Sequence, residues 1–550
     1  MLRTVSVVLA FLLNIANCEV LVKLPNGQIR GRTESTYTNV TFYAFQEIPF
    51  AKPPVGKLRF MAPQSNDNWE GILDCTKQTK ICPQINHNDE QENEDCLYLN
   101  VYTPVEPSSN SNLSVIYYIY GGSFNHGSNK FDRFGPHFLI EQGVVVVIPN
   151  YRLGPMGFLS IQDEVIPGNN GLKDQNLGLK WVQENIQLFG GDPSKVTIIG
   201  QSAGAASVTL QILSKQSRGL FRAAVAQSGS ALTPWSYQRH ARDVAYEFAA
   251  EFDSNFTTKN TSEELLKLLQ TIPEKDMATV FASFKPRVPG EGFTWAPVIE
   301  PAHESAFLTK NQHELLESGD INQVPLVIGI CSEEDINKAS DLESLKKQGS
   351  SYDKDVKQLV TEDLHLTDDD VKAQAGEQIR KVYSDGQFAS NLSSVVKFQS
   401  DNSFTRGTIR FAELQSRLTD VYFYQFSYFG ELTFAKEIYL PGAGKVPHAG
   451  DNYFLWTKMN RSNIHAYPDA DALTSQRYVK LFADFSKYLN PTPEESDLMD
   501  NIVWPKVNAT HFWYLDIDEN LEVKLNPKGE AYRGWVDVYD SWGVKPFDTY

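Results

Sequence analysis

Cysteine is scarce, with five in 550 residues. A disulfide framework therefore cannot define the fold, and the wide spacing without paired histidines does not suggest structural zinc. Long Lys/Arg blocks are missing, and 68 acidic against 50 basic residues leave a formal charge of -18. Such a surface repels phosphate backbones and anionic membranes, which argues against a nucleic-acid partner. Beyond the N-terminus no stretch approaches 18 apolar residues, so no stable membrane anchor is expected. Internal repeats and long linkers are also lacking. With 41% hydrophobic and 21% charged residues, collagen, coiled coil and wholesale disorder are excluded. One large core with extended insertions is the expected organisation.

The N-terminus sets the compartment. Arg3 precedes an apolar run from Val5 to Leu13, followed by small residues around Ala16 to Cys18. This reads as a secretory signal over 1–18, cleaved near Cys18/Glu19, leaving 19–550 as a single secreted, extracellular domain. Four cysteines then remain, at 75, 82, 96 and 331, and one or two disulfides suit export. Asn-X-Ser/Thr sites at Asn39, Asn112, Asn255, Asn260, Asn391, Asn460 and Asn508 are glycosylation candidates, and such sites belong on the surface. Monomer and homodimer are both compatible with the sequence.

Glu19 to Gly31 predicts a hairpin about Asn26-Gly27, and 40–50 a further strand. Val115–Tyr120 and Val144–Pro149 are uninterrupted apolar runs, which suit a sheet buried on both faces. Leu172, Leu179, Val182, Ile186 and Phe189 recur at helical intervals and predict a helix over 171–189. Val196–Ile199 predicts a strand, Ala203–Leu213 a helix, and Ala223–Gln227 a strand. Val324–Ile330 and Val421–Tyr428 return to the sheet, Thr405–Leu418 reads as a helix, and a late helix carries Tyr478, Leu481, Phe482, Phe485 and Leu489. Alternating strands and helices describe an α/β protein with a large, mostly parallel central sheet.

The strongest local signal is Gly200-Gln201-Ser202-Ala203-Gly204, between the 196–199 strand and the 203–213 helix. Small residues permit a sharp strand-to-helix turn that lifts Ser202 above the sheet, with helix amides pointing at it. A turn with an N-cap serine is the plain alternative. A serine hydroxyl needs a base. His126, His137 and His448 are candidates, and His448 is favoured because its loop follows the 421–428 strand. An orienting carboxylate is offered after the 324–330 strand, where Glu333, Glu334 and Asp335 are consecutive and residue chemistry alone does not choose. An oxyanion needs donors. Gly121-Gly122-Ser123-Phe124 follows a strand directly, so the amides of Gly122, Ser123 and Ala203 are the candidates.

These residues sit within longer matching segments. Glu47–Phe60, Glu94–Pro104, Asn170–Asn176 and Phe189–Gly204 together resemble the carboxylesterase/cholinesterase family of α/β-hydrolases, the type-B carboxylesterases, and within it the secreted insect esterases. The resemblance spans about 20–540 and implies the α/β-hydrolase fold, with the chain order Ser, acid, His. It implies Ser202 as nucleophile, Glu334 as the acid and His448 as the base, with no metal or organic cofactor. Ser228, in Ala226-Gln-Ser-Gly229, matches a serine that supports the triad from behind. Trp235 matches an acyl-pocket tryptophan, and Phe124 and Gln201 would flank the same substrate pocket. The family pairing links Cys82 with Cys96 and leaves Cys75 and Cys331 as extra cysteines. Arg59 with Glu94, and Arg152 with Asp174, resemble the family's structural ion pairs.

The departures narrow the substrate. Ser123 replaces a third glycine of the oxyanion loop, and Asp335 replaces the glycine after the acid. Gln201 stands where cholinesterases carry glutamate, and the 82–96 loop contains no tryptophan, which disfavours choline esters. The resemblance thus implies a carboxylesterase acting on a small hydrophobic ester through an acyl-enzyme, in general, xenobiotic or odorant ester turnover. Juvenile hormone esterase is the same-chemistry alternative. A catalytically silent adhesion protein and a lipase are lower-ranked rivals.

Overall fold

The computed structural model describes residues 19–85, 89–287, 292–433, 435–458 and 463–550. The expected signal segment 1–18 and the Asn460 site lie outside the described residues. Among these, thirteen strands form one sheet. They are β1 Val20–Leu24, β2 Gly27–Ser35, β3 Thr41–Pro49, β4 Ile72–Asp74, β5 Tyr98–Thr103, β6 Leu113–Ile119 and β7 Val145–Pro149, then β8 Gly191–Gln201, β9 Ala223–Gln227, β10 Leu326–Cys331, β11 Val421–Phe426, β12 Trp513–Ile517 and β13 Leu521–Leu525. The order is β1-β2-β3-β5-β7-β6-β8-β9-β10-β11-β12-β13, with β4 beside β2. The strands from β7 through to β12 in this order pair in parallel through the middle. The remaining pairs along the path, at either end, are antiparallel, and β4 runs parallel to β2.

The apolar runs have the burial their composition demands. Every residue of β7, β9 and β10 is buried. Helices supply the cover. Asn170–Asn185 packs on β8 and on the helix Ala203–Leu213, which itself lies on β8 and β9. Asp469–Tyr488 covers β6 and β8. Each fully buried Val, Ile or Leu here contributes roughly 1.5–3 kcal/mol relative to exposure, so the central strands dominate the core. A second cluster of buried side chains joins Ile336, Leu345, Ile379 and Phe398 to Trp535 and Tyr539 near the C-terminus.

Most expected elements are present, with shifted ends. The helix expected over 171–189 is regular over Asn170–Asn185 and tightens into a 3-10 turn, Ile186–Phe189, which stops at Gly190 with φ 79°. The strand expected at 196–199 runs from Gly191 to Gln201, because β6 and β9 pair with it on both sides. The hairpin of β12 and β13 and the helix Gly529–Trp542 were not foreseen. Cys82 and Cys96 are bridged, while Cys75 and Cys331 are buried free thiols. Arg59 meets Glu94 at 2.7 Å, and Arg152 meets Asp174 at 2.7 Å. Five of the described Asn-X-Ser/Thr asparagines are exposed, and Asn260 is half-buried. Among the described residues no helix is long and apolar enough to cross a membrane.

Candidate active site

Sheet register brings the site together. Ile119 of β6 pairs with Gly200 of β8, so the residues that follow each strand emerge side by side at the C-terminal edge. That edge is where parallel α/β sheets gather ligand-binding loops. Gly200 and Gly204 are required by the crowding at this turn. A Cβ on Gly200 would lie 2.3 Å from the Gly204 carbonyl oxygen, and one on Gly204 would lie 2.0 Å from that of Ile119. Ser202 takes φ 60°, ψ -126°, an unfavourable conformation for a residue with a side chain. Its N–H donates to the Gln227 carbonyl oxygen of β9 at 2.9 Å, which fixes the turn. Ala203–Leu213 starts immediately afterwards.

Three side chains from the loops that follow β8, β10 and β11 meet here. Ser202 Oγ lies 2.8 Å from His448 Nε2, and His448 Nδ1 lies 2.8 Å from Glu334 Oε2. Glu334 is buried, and its Oε1 accepts the Cys331 amide at 2.8 Å. The structure therefore separates the three consecutive acids. Glu333 turns the other way, to the Gly444 amide at 3.0 Å, and Asp335 pairs with Lys338 at 3.0 Å. With Nδ1–H donating to a carboxylate, Nε2 is left as an acceptor facing the hydroxyl, the arrangement a general base needs. The other two histidines are elsewhere. His137 bonds Thr457 Oγ1 at 2.6 Å, away from the serine. His126 lies in the loop after β6, and burial, assisted by the Arg133 charge, holds its imidazole below the usual range.

The 121–124 loop wraps the serine. Gly122 has φ 126°, and a Cβ there would sit 1.9 Å from the His126 carbonyl oxygen, so only glycine fits. Ser123 and Phe124 also have positive φ, 54° and 58°. A Cβ on Gly121 would be 2.8 Å from Ser202 Cβ, which measures how close the two loops run. The amides of Gly122, Ser123 and Ala203 donate no hydrogen bond among the described residues and remain open for a ligand oxygen.

A cavity of about 1060 Å³ opens over Ser202 and His448. Gln201, Gly122, Ser123, Phe293 and Phe404 are among its walls. Gln201 Nε2 is 3.3 Å from His448 Nε2, so its amide shares the imidazole acceptor with the serine. Phe124 and Trp235 do not line the cavity themselves. They contact Phe293, at ring separations of 6.3 and 5.1 Å, and Trp235 also meets Phe404 at 5.7 Å. Ser228 touches neither Glu334 nor His448 by a hydrogen bond; its hydroxyl meets the Cys331 sulfur at 3.7 Å. Cys331 in turn donates its amide to Glu334 Oε1 at 2.8 Å, so Ser228 lies one residue away from the carboxylate rather than against it. Asp451, three residues after His448, is buried and accepts from Gln227, Tyr478 and Tyr424 at 3.1, 2.6 and 3.2 Å. Burial and the Glu334 charge push its carboxyl up. Phe293 and Phe404 were missed by sequence reasoning. Phe293 lies in a Pro/Gly stretch, and Phe404 just precedes the helix expected from Thr405.

Sheet order, the sharp turn at Ser202 and the loops gathered at one sheet edge define an α/β-hydrolase. Comparison with known proteins sharpens this. The model of the carboxylesterase family matches residues 19–535, and the chain belongs to that family. A carboxylic ester hydrolase of Bombus ignitus is 31% identical over 93% of this chain and 92% of its own length. The juvenile hormone esterase of Tribolium castaneum is 33% identical over 89% and 86%. The crystal structure of juvenile hormone esterase from Manduca sexta, with OTFP covalently attached, superposes with a TM-score of 0.81. It is 26% identical and covers 95% of this chain and all of its own. The chain is a carboxylic-ester hydrolase of the insect type.

Proposed function

We propose that the chain, as a single domain over 19–550 released from the 1–18 signal, is a secreted serine carboxylesterase that cleaves small hydrophobic esters by two-step acyl transfer. The observation that carries this reading is the unbroken run of 2.8 Å contacts from Ser202 through His448 to Glu334. Ser202 Oγ bonds to the ester carbonyl carbon while His448 Nε2 takes its proton. The carbonyl electrons move to oxygen, which the amides of Gly122, Ser123 and Ala203 receive. His448 then returns the proton to the departing alcohol oxygen. Water, deprotonated by His448, attacks the acyl-enzyme and releases the acid. Glu334 keeps the imidazole in one tautomer and balances its charge throughout.

Kinetics of Ser202→Ala against the wild-type protein on short p-nitrophenyl esters tests this. Loss of at least about 10³-fold in kcat is expected, and equal hydrolysis by both proteins would refute it. General, xenobiotic or odorant ester turnover is the leading role. A juvenile hormone esterase role is the second reading, favoured by the full-length likeness to two such enzymes. Efficient, saturable hydrolysis of that hormone at submicromolar concentration separates the two.

A further inference from the structure

The helix that ends in Ser400 and the helix that starts at Arg406 are one continuous rod with a widened turn between them. Across Asp401–Thr405 the Arg406 N–H reaches back five residues, to the Asp401 carbonyl oxygen. Such π-type turns accommodate one extra residue and concentrate at functional sites. Both flanks of this one are pinned. On the N-terminal side Ser400 Oγ accepts the amide of Asp335, the residue after Glu334, at 3.0 Å. On the C-terminal side a Cβ on Gly407 would lie 2.3 Å from the Leu232 carbonyl oxygen, and the Gly407 carbonyl oxygen accepts from Ser230 Oγ at 2.9 Å. A regular α-turn would rotate one flank by about 100° against the other and break one of these anchors. The widening is therefore set by tertiary contacts on both sides.

The residue this turn delivers to the site is Phe404. Its ring centroid lies 4.3 Å from that of His448 with the planes 31° apart, so it covers a face of the imidazole. It is half-buried and lines the cavity. The same turn supports Trp235, whose Nε1 donates to the Ser403 carbonyl oxygen at 2.6 Å. Both imidazole nitrogens are already engaged, Nδ1 by Glu334 and Nε2 by Ser202 and Gln201. Phe404 adds a contact on a face of the ring.

We propose that Phe404 is a positioning residue for the base: its ring keeps the His448 imidazole aligned with Ser202 and stabilises it while it carries the serine proton. The physical basis is attraction between a cation and an aromatic face within about 6 Å. That attraction arises only when the imidazole is protonated, in the two steps where charge develops. It therefore accelerates the reaction without tightening substrate binding. This inference rests on the assignment of His448 as base made above.

The test is Phe404→Leu, which keeps an apolar cover on the ring but removes the π face, beside Phe404→Tyr, which keeps the face. Both are assayed on p-nitrophenyl acetate, butyrate and hexanoate, with thermal midpoints recorded and Ser202→Ala as control. Phe404→Leu is expected to lower kcat about tenfold on all three esters, with KM and thermal midpoint close to wild type. Phe404→Tyr is expected to stay within about twofold of wild-type kcat. An unchanged kcat in Phe404→Leu, a Tyr variant as slow as the Leu variant, or an effect confined to KM and growing with acyl length would overturn the proposal. Those outcomes, with Ser202→Ala inactive, leave the serine mechanism standing. An active Ser202→Ala removes the mechanism and this proposal together.

Discussion

His448 is held by Glu334 through two independent bonds. The side chains meet at 2.8 Å through Nδ1 and Oε2, and the His448 amide donates to the Glu334 carbonyl oxygen at 2.9 Å. The second bond fixes the backbone of one loop to the other. The imidazole ring is thus oriented both by its own edge and by the chain that carries it, although 114 residues separate the two positions.

Replacing Glu334 by Gln leaves the loop-to-loop bond and the Cys331 amide contact possible, but presents an N–H to Nδ1. The imidazole then settles in the tautomer whose Nε2 cannot accept the serine proton. A fall of about 10³–10⁴-fold in kcat with an unchanged thermal midpoint is expected. Glu333→Gln, whose oxygen can still accept the Gly444 amide, stays within a few-fold of wild type. Steady-state kinetics of the two variants side by side checks the choice among the three acids.

Gly122→Ala forces a Cβ against the His126 carbonyl oxygen and a side chain into φ 126°. The loop has to shift, and the proposed oxyanion donors shift with it. The expected result is a loss of about 10²–10³-fold in kcat with a small change in KM, measured on a short p-nitrophenyl ester.

Arg152 and Asp174 are both buried, 3% and 0% exposed, and are joined by two side-chain bonds at 2.8 and 2.7 Å. Asp174→Ala leaves an uncompensated guanidinium in the core. Denaturant unfolding is expected to show a loss of about 3–5 kcal/mol. Arg152→Ala with Asp174→Ala together should cost less than the sum of the single changes.

Asp401 gives a stability effect with a definite sign. Burial first, with the Glu333 charge adding to it, pushes its carboxyl up to about 6 from 3.8, against the opposing Lys528 charge. A raised carboxyl favours the folded state while protonated, so its contribution is present below pH 3.8 and is lost as pH rises through about 6. Asp401→Asn is neutral at every pH and can still accept from Tyr383, which donates to Oδ2 at 3.0 Å. Relative to wild type, the variant should gain stability between about pH 4 and 7, on the order of 3 kcal/mol at the upper end. Unfolding midpoints of both proteins across that range provide the check.

Local pattern carried the centre of the molecule. The helix Ala203–Leu213 and the strand Ala223–Gln227 have the ends expected from the sequence, because small-residue turns and an unbroken apolar run mark them. Ser202 and His448 were legible from the local turn and from loop position, whereas the choice of Glu334 among the three acids was legible only through long matching segments. Glu334 is distinguished from its neighbours by the direction in which the chain turns after β10, which residue types do not encode. Phe404 was illegible for a related reason. Its place over His448 depends on anchors at Ser400 and Gly407, each made to a different part of the chain. The second buried cluster likewise joins 336–398 to 535–550, too far apart for periodicity to reveal.

The proposed mechanism requires Ser202 to form the covalent bond to the acyl group. Its most direct test is peptide mapping by mass spectrometry after reaction with an organophosphate ester. One phosphoryl group per chain is expected on the peptide containing Ser202, in step with loss of activity, and none in Ser202→Ala. Complete inactivation with the adduct on another residue, or continued hydrolysis by a fully labelled Ser202, would contradict it.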